Sequence, residues 1–290
     1  MSYPEFGDIP ALAAALDAAG YLPDEGVATA AYLAIRMRRP LLLEGDPGVG
    51  KTALAQALAD VVGAELVRLS CYEGIDASQA LYDWDFPRQL LHLRAAEGGG
   101  GDERSVYDRR FLIARPILRA LELSPAVLLV DEIDRADDEF EAFLLEVLAD
   151  NAVTIPELGT IRPAEPPIVV LTSNRTRELH DALKRRCLYH WVNHPDLERE
   201  VEIIRRHEPE VADRLARQVA AGVAAMRAAG LVKPPGIAEA IDWATALRLL
   251  GATELSPPAV RATLGALLKY REDQVTAERD VLPGLLARLP

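Results

Sequence analysis

Gly45-Asp46-Pro47-Gly48-Val49-Gly50-Lys51-Thr52 decides how the rest of this 290-residue chain is read. The stretch fits G-x-x-x-x-G-K-[ST] and sits between an aliphatic run, Pro40–Glu44, and a stretch of helical period, Thr52–Val62, that stops at Gly63. Glycines let successive backbone N–H groups close around anionic oxygens, and the following helix adds the partial positive charge of its N-terminus. Lys51 then reaches the outer phosphates, and the Thr52 hydroxyl becomes a ligand for Mg²⁺. Gly45, Asp46, Pro47, Gly48, Val49, Gly50, Lys51 and Thr52 together predict a cradle for a nucleoside triphosphate.

A phosphate cradle needs partners at the same sheet edge, and the chain offers them downstream. Ala126-Val127-Leu128-Leu129-Val130 reads as a buried strand that delivers Asp131 and Glu132 to its C-terminal end. Asp131 is placed to orient Mg²⁺, and Glu132, one residue clear of the strand, to act as base for an attacking water. Ile168–Asn174 is a second such run, and the amide of Asn174 suits a water held against the γ-phosphate, although asparagine also caps helices and turns. Lys184-Arg185-Arg186 ends the helix that follows, where cations also suit the helix dipole.

Around these motifs the chain alternates. The aliphatic runs Pro40–Glu44, Glu65–Ser70, Ala126–Val130, Ile168–Asn174 and Cys187–Val192 are separated by helical stretches, the pattern of a five-stranded parallel sheet wrapped by helices. Asp137–Ala149 is the strongest helix, with Phe140, Phe143, Leu144, Val147 and Leu148 on one face and Asp137 as cap. Beyond Pro195 strand signals stop. Four helical stretches follow, Asp196–His207, Val211–Ala229, Ile237–Leu250 and Pro258–Asp273, so residues 1–195 are read as an α/β core and 196–290 as a smaller all-helical domain. Gly98–Gly101 is expected to be a mobile surface loop, and Asn151–Pro167 a small hairpin.

Composition limits the function. A 50% hydrophobic content supports a real core, and a net charge of −13 argues against an unspecific grip on nucleic acid or anionic lipid. Cys71 and Cys187 stand 116 residues apart, which excludes a disulfide framework and fits a reducing cytoplasm. The N-terminus has acids where a secretion signal needs bases, and no apolar run is long enough to insert in a membrane.

The order of a phosphate loop, an Asp-Glu strand, an Asn-ended strand, arginines closing the next helix and then a helical domain resembles the AAA+ ATPases over nearly the whole chain. The resemblance implies an αβα sandwich followed by a helical lid, ATP with Mg²⁺ as ligand, and a homo-oligomeric ring, usually of six subunits. It also implies that Arg186, with Arg185 as runner-up, reaches into the neighbouring subunit's site. Within that superfamily the chain is similar to the MoxR group. Cys71–Asp76, Leu81–Gln89 and Phe111–Pro116 are similar to its CoxD-like branch, associated with carbon monoxide dehydrogenase and other molybdenum hydroxylases. A partner with a von Willebrand factor A domain and a client metalloenzyme are implied in turn. So are two insertions, Leu81–Arg110 after the second strand and the 151–167 hairpin. Many relatives place a γ-phosphate-sensing arginine early in the third lid helix, but Gly236–Trp243 contains none, and neither Lys233 nor Arg248 is a convincing substitute.

Other features are less telling. His190 and His194 are spaced as helical metal ligands but fall in and after a predicted strand, and both cysteines are expected to be small buried side chains. Tyr82, Trp84 and Phe86 alternate as if in a strand, and read equally as a client-gripping patch or as core. Two rival functions stand beside an ATP-driven chaperone: a nucleic-acid motor, and a nucleotide-dependent binding switch without hydrolysis.

Overall fold

The computed structural model describes residues 3–4, 6–96 and 106–288, and the chain divides into two compact units. The Gly98–Gly101 stretch lies outside the described residues. The first unit, residues 1–45 and 51–191, opens with helices α1 (Ile9–Ala18) and α2 (Glu25–Met37), then strand β1 (Leu41–Gly45), α3 (Lys51–Val62) and β2 (Glu65–Ser70). An excursion follows: α4 (Ala77–Ala80), β3 (Tyr82–Trp84), α5 (Phe86–Ala96), β4 (Leu112–Ala114) and α6 (Pro116–Glu122). The chain then returns through β5 (Ala126–Asp131), α7 (Asp138–Asp150), the strands β6 (Val153–Ile155) and β7 (Gly159–Ile161), β8 (Ile168–Ser173), α8 (Asp181–Arg186) and β9 (Leu188–Val192).

The main sheet has the order β2-β5-β8-β1-β9. Composition accounts for this order. β1, β5 and β8 open with continuous aliphatic runs, are buried at every position, and occupy the three central places. β2 and β9 mix polar with apolar residues, are only partly buried, and form the edges. The parallel register pairs Ser70 with Asp131, Val130 with Leu171, and Glu44 with Ser173, so the polar ends of β2, β5, β8 and β1 arrive together at one sheet edge. Leu42, Leu128, Val130, Val169 and Leu171 form the middle of the core beneath them. α7 starts as its sequence dictates, with Asp137 Oδ1 accepting the Phe140 N–H at 2.9 Å.

β6 and β7 form the expected antiparallel hairpin, with Thr154 opposite Thr160. β3 pairs antiparallel with β4, and here the strand-like reading of Tyr82, Trp84 and Phe86 is only partly right. Tyr82 and Trp84 lie in β3, and Trp84 meets Tyr107 edge-on at 5.4 Å between ring centroids, whereas Phe86 begins α5 and is 64% exposed.

The second unit comprises residues 46–50 and 192–290. Its helices are α9 (Leu197–His207), α10 (Asp213–Arg227), α11 (Ile237–Leu249), α12 (Pro257–Leu267), α13 (Arg271–Thr276) and α14 (Leu282–Arg288), with a π-helical segment at Ala277–Val281. Trp243 is its fully buried centre, donating to Thr263 Oγ1 at 2.8 Å with Gly222 beneath its ring. The fourth stretch, Pro258–Asp273, is broken after Leu267: Leu268 and Tyr270 are extended, and the freed Leu268 carbonyl is taken by Gln274 Nε2 at 2.8 Å. No glycine or proline stands at that break, and a side chain six residues on takes the carbonyl it leaves free.

Candidate functional site

The chain leaves β1 at Gly45 and re-enters regular structure at Lys51, the first residue of α3. Gly48 and Gly50 have φ of +79° and +94°, a left-handed backbone that an L side chain enters only with strain, which is why glycines stand there. Lys51 is buried, and its ammonium donates to the Gly45 carbonyl at 2.7 Å, so both ends of the loop are tied together. Residues 46–50 pack within the second unit. Ile237, first residue of α11, donates its N–H to the Gly48 carbonyl at 2.8 Å, and the Glu239 carboxylate accepts the Gly236 N–H at 3.0 Å. Gly236 is as tightly placed as Gly48: a Cβ on either would stand within 2.8 Å of the other's Cα.

Asp131 ends β5 buried. Its Oδ1 accepts from Thr52 Oγ1 at 3.1 Å and from Thr172 Oγ1 at 2.6 Å, while Arg68, reaching from β2, pairs with Oδ2 at 2.5 Å. A threonine hydroxyl beside a carboxylate is the hard oxygen pair that suits Mg²⁺ completed by phosphate oxygens and water. Glu132 follows in a left-handed conformation, φ +56°, which costs a non-glycine residue about 1–2 kcal/mol. That turn takes its carboxylate out of the strand line. Asn174 Nδ2 donates to Glu132 Oε1 at 3.3 Å, Arg135 Nε pairs with Oε2 at 2.8 Å, and the Glu132 N–H donates to Thr172 Oγ1 at 2.9 Å. Asp134 fixes the neighbouring loop by accepting the N–H groups of Asn174 at 3.2 Å and Thr176 at 2.8 Å.

Thr52, Asp131, Glu132 and Asn174 are thus brought to one sheet edge. Thr172, Arg68, Asp134 and Arg135 join them without having been singled out from sequence. Thr172 is a β-branched residue inside a strand and carries no motif signal, and Arg68 sits in an alternating edge strand where a cation reads as a solvated face. Arg185 and Arg186 are elsewhere. They end α8 just before β9, whose first N–H, on Leu188, donates to the Pro40 carbonyl at 2.8 Å at the start of β1. That is the opposite edge of the sheet, about 13 Å away along the length of β1. Both arginines are exposed. Arg248, weighed as a substitute sensor, is engaged by Glu208 at 3.0 Å and Glu210 at 2.8 Å. His190 packs its ring over Gly26, and His194 Nε2 lies 3.6 Å from Asp46.

Comparison with known proteins finds relatives for the chain and its fold. The chain is 30% identical to the chaperone MoxR1 of Mycobacterium tuberculosis over 176 residues, 57% of this chain and 39% of that one. It is 30% identical to the protein MoxR of Methylorubrum extorquens over 122 residues, 42% and 30% of the two chains. A midasin of Giardia intestinalis is 54% identical over 48 residues, 17% of this chain and 1% of that one. Each match spans less than half of the relative. A point mutant of the RuvB protein of Thermotoga maritima superposes with a TM-score of 0.52 at 20% identity, over 91% of this chain and 80% of that one, which shows a shared fold. The profile of the AAA domain, dynein-related subfamily, matches residues 40–187, half of the sequence, and the chain belongs to that family.

Proposed function

We propose that this protein is a MoxR-type AAA+ ATPase that hydrolyses ATP to ADP and phosphate, and that it works as a chaperone on a client metalloenzyme. The observation that carries the hydrolytic part is the Glu132–Asn174 pair beside the Asp131–Thr52 pair, with strain at Glu132 that aims one carboxylate away from the other. In this reading the glycine-rich loop and Lys51 hold the phosphates. Glu132 takes the proton of the attacking water, and the Asn174 amide orients that water at the γ-phosphate. Thr52 and Asp131 would hold Mg²⁺, which when bound would supply charge neutralisation on the phosphate oxygens. Arg186 acts on a neighbour in a homo-oligomeric ring of six, because its position at the far sheet edge keeps it from its own site, with Arg185 as the second choice.

The client side rests on resemblance. The similarity to MoxR proteins supports a chaperone role, and the segments 71–76, 81–89 and 111–116 support a molybdenum hydroxylase such as carbon monoxide dehydrogenase as client, with a von Willebrand factor A domain protein as go-between. The exposed Phe86, Leu90 and Leu91 of α5 favour that excursion as a contact with protein. A charge of −13 counts against a nucleic-acid motor. The deciding experiment is Glu132→Gln: ATP should still bind while steady-state phosphate release falls at least a hundredfold. Turnover at the wild-type rate would remove Glu132 from the mechanism, and an inactive wild-type assembly would favour the binding switch.

A further inference from the structure

Arg39 stands between α2 and β1, outside every motif, yet its guanidinium is committed to one place. Its Nη2 donates to the carbonyls of Arg185 at 2.7 Å and Cys187 at 3.2 Å, and its Nε to the carbonyl of Arg186 at 3.2 Å. One side chain therefore takes three successive carbonyls at the end of α8, the groups that a helix C-terminus leaves unpaired. Arg39 itself is fixed from behind. Arg38 closes α2 in a left-handed conformation, φ +53°, the Arg39 N–H returns to the Ala34 carbonyl at 3.1 Å, and Pro40 restricts the residue before it to extended backbone. The Pro40–Leu188 hydrogen bond that starts the β1–β9 pairing lies immediately beyond.

We infer that Arg39 is a positioning residue for the arginine finger: it locks the backbone of Arg185 and Arg186 to the start of β1, and so sets the direction in which Arg186 leaves the subunit. α8 is only six residues long and has no side-chain cap at its N-terminus, so its end has little rigidity of its own. A finger that must enter a neighbour's site works only if its root is held, since small displacements of a transition-state contact forfeit much of its effect. β1 continues directly into the phosphate loop of the same subunit. The same strand thereby anchors the root of one subunit's finger at its beginning and the phosphate cradle at its end.

This inference rests on the assignment of Arg186 as a finger acting between subunits, and the test separates the two. Arg39→Ala and Arg39→Met, the second keeping the aliphatic stem, are compared with Arg186→Ala in nucleotide affinity and in kcat, alone and mixed with Lys51→Ala subunits. Lys51→Ala subunits lack a nucleotide site but carry an intact finger. The expected result is unchanged ATP affinity, a kcat at least tenfold down for both Arg39 variants, and recovery of turnover on mixing, as for Arg186→Ala. A merely structural loss at Arg39 would damage the variant's own site and would not be repaired by a neighbour. Wild-type kcat in both Arg39 variants, or a loss that mixing does not repair while Arg186→Ala is repaired, overturns the positioning role and leaves the finger standing. Wild-type turnover in Arg186→Ala removes the finger and the positioning role together.

Discussion

Thr172→Val is the substitution whose consequences follow most directly from the geometry. The hydroxyl is buried, donates to Asp131 Oδ1 at 2.6 Å and accepts the Glu132 N–H at 2.9 Å, so one oxygen holds both members of the acidic pair. Valine matches the shape and removes the oxygen. A hydrogen bond to a charged group contributes about 1.5–3 kcal/mol and a neutral one about 0.5–1.5, so the deficit is about 2–4.5 kcal/mol. Spread over a unit of this size, it corresponds to a melting point lowered by about 4–18 °C. Loss of a group that orients a metal ligand also costs about 10–100-fold in metal affinity or activity. Thermal unfolding, Mg²⁺-dependence of ATP binding and steady-state phosphate release measured on one preparation read all three effects. Thr172→Ser, which keeps the oxygen, should recover most of each. A valine variant that melts and hydrolyses like wild type refutes the network, and a serine variant as impaired as valine shows that the methyl group, not the hydroxyl, matters.

Three more outcomes are expected. Gly48→Ala should weaken ATP binding at least tenfold in calorimetry, since a Cβ at φ +79° would meet the Gly236 Cα at 2.8 Å; unchanged affinity would show that the loop is not so constrained. Arg227→Ala should destabilise the helical unit by about 3–5 kcal/mol in urea unfolding, because Glu200 is buried and bonded to that guanidinium at 2.7 and 2.8 Å. Burial already raises the Glu200 carboxyl above its usual range, with Arg227 opposing it, so the variant's deficit should shrink as pH falls towards 5 and the buried acid takes up a proton. Burial pushes the thiols of Cys71 and Cys187 up to about 12, with the charges of Asp131, Asp134 and Glu132 adding at Cys71. Native protein should therefore resist maleimide at pH 8, and its stability should fall as pH climbs from about 9 towards 12, where the unfolded chain releases those protons and the folded one keeps them; rapid native labelling would contradict it.

The sheet was legible because its signals are local. Continuous aliphatic runs mark β1, β5 and β8 as central, and the acids at their ends carry the site with them. That Asp131, Glu132, Thr52 and Asn174 meet at one sheet edge is legible for the same reason, as each is adjacent in sequence to the strand or loop that places it. What stayed hidden depends on partners distant in sequence. Thr172 matters through two residues about forty positions upstream, and Arg68 through an acid on the next strand. Phe86 departs from the strand-like run because alternation of aromatics continues past Trp84, where Phe86-Pro87 begins a helix. Hydrophobic period reports which face of an element is covered, and says nothing of which polar atom is satisfied by which distant one.

Parallel strands impose a direction on this chain that has a consequence for assembly. Every β-strand of the main sheet runs the same way, so residues that follow strands, such as Asp131 and Asn174, collect at one edge, while residues that precede them, such as Arg39 and Arg186, collect at the other. A hydrolytic site that uses both classes is therefore split within one subunit, and the length of β1 is the size of the gap. Closing it by bending the chain would break the β1–β9 hydrogen bonds; closing it by stacking the far edge of one subunit on the near edge of the next costs no internal contact. Such a head-to-tail interface is heterologous, and when its rotation closes it generates a ring. The proposed dependence of turnover on a neighbour is thus the arrangement that leaves the parallel sheet intact, and mixed Lys51→Ala and Arg186→Ala subunits, each inactive alone, should together hydrolyse ATP.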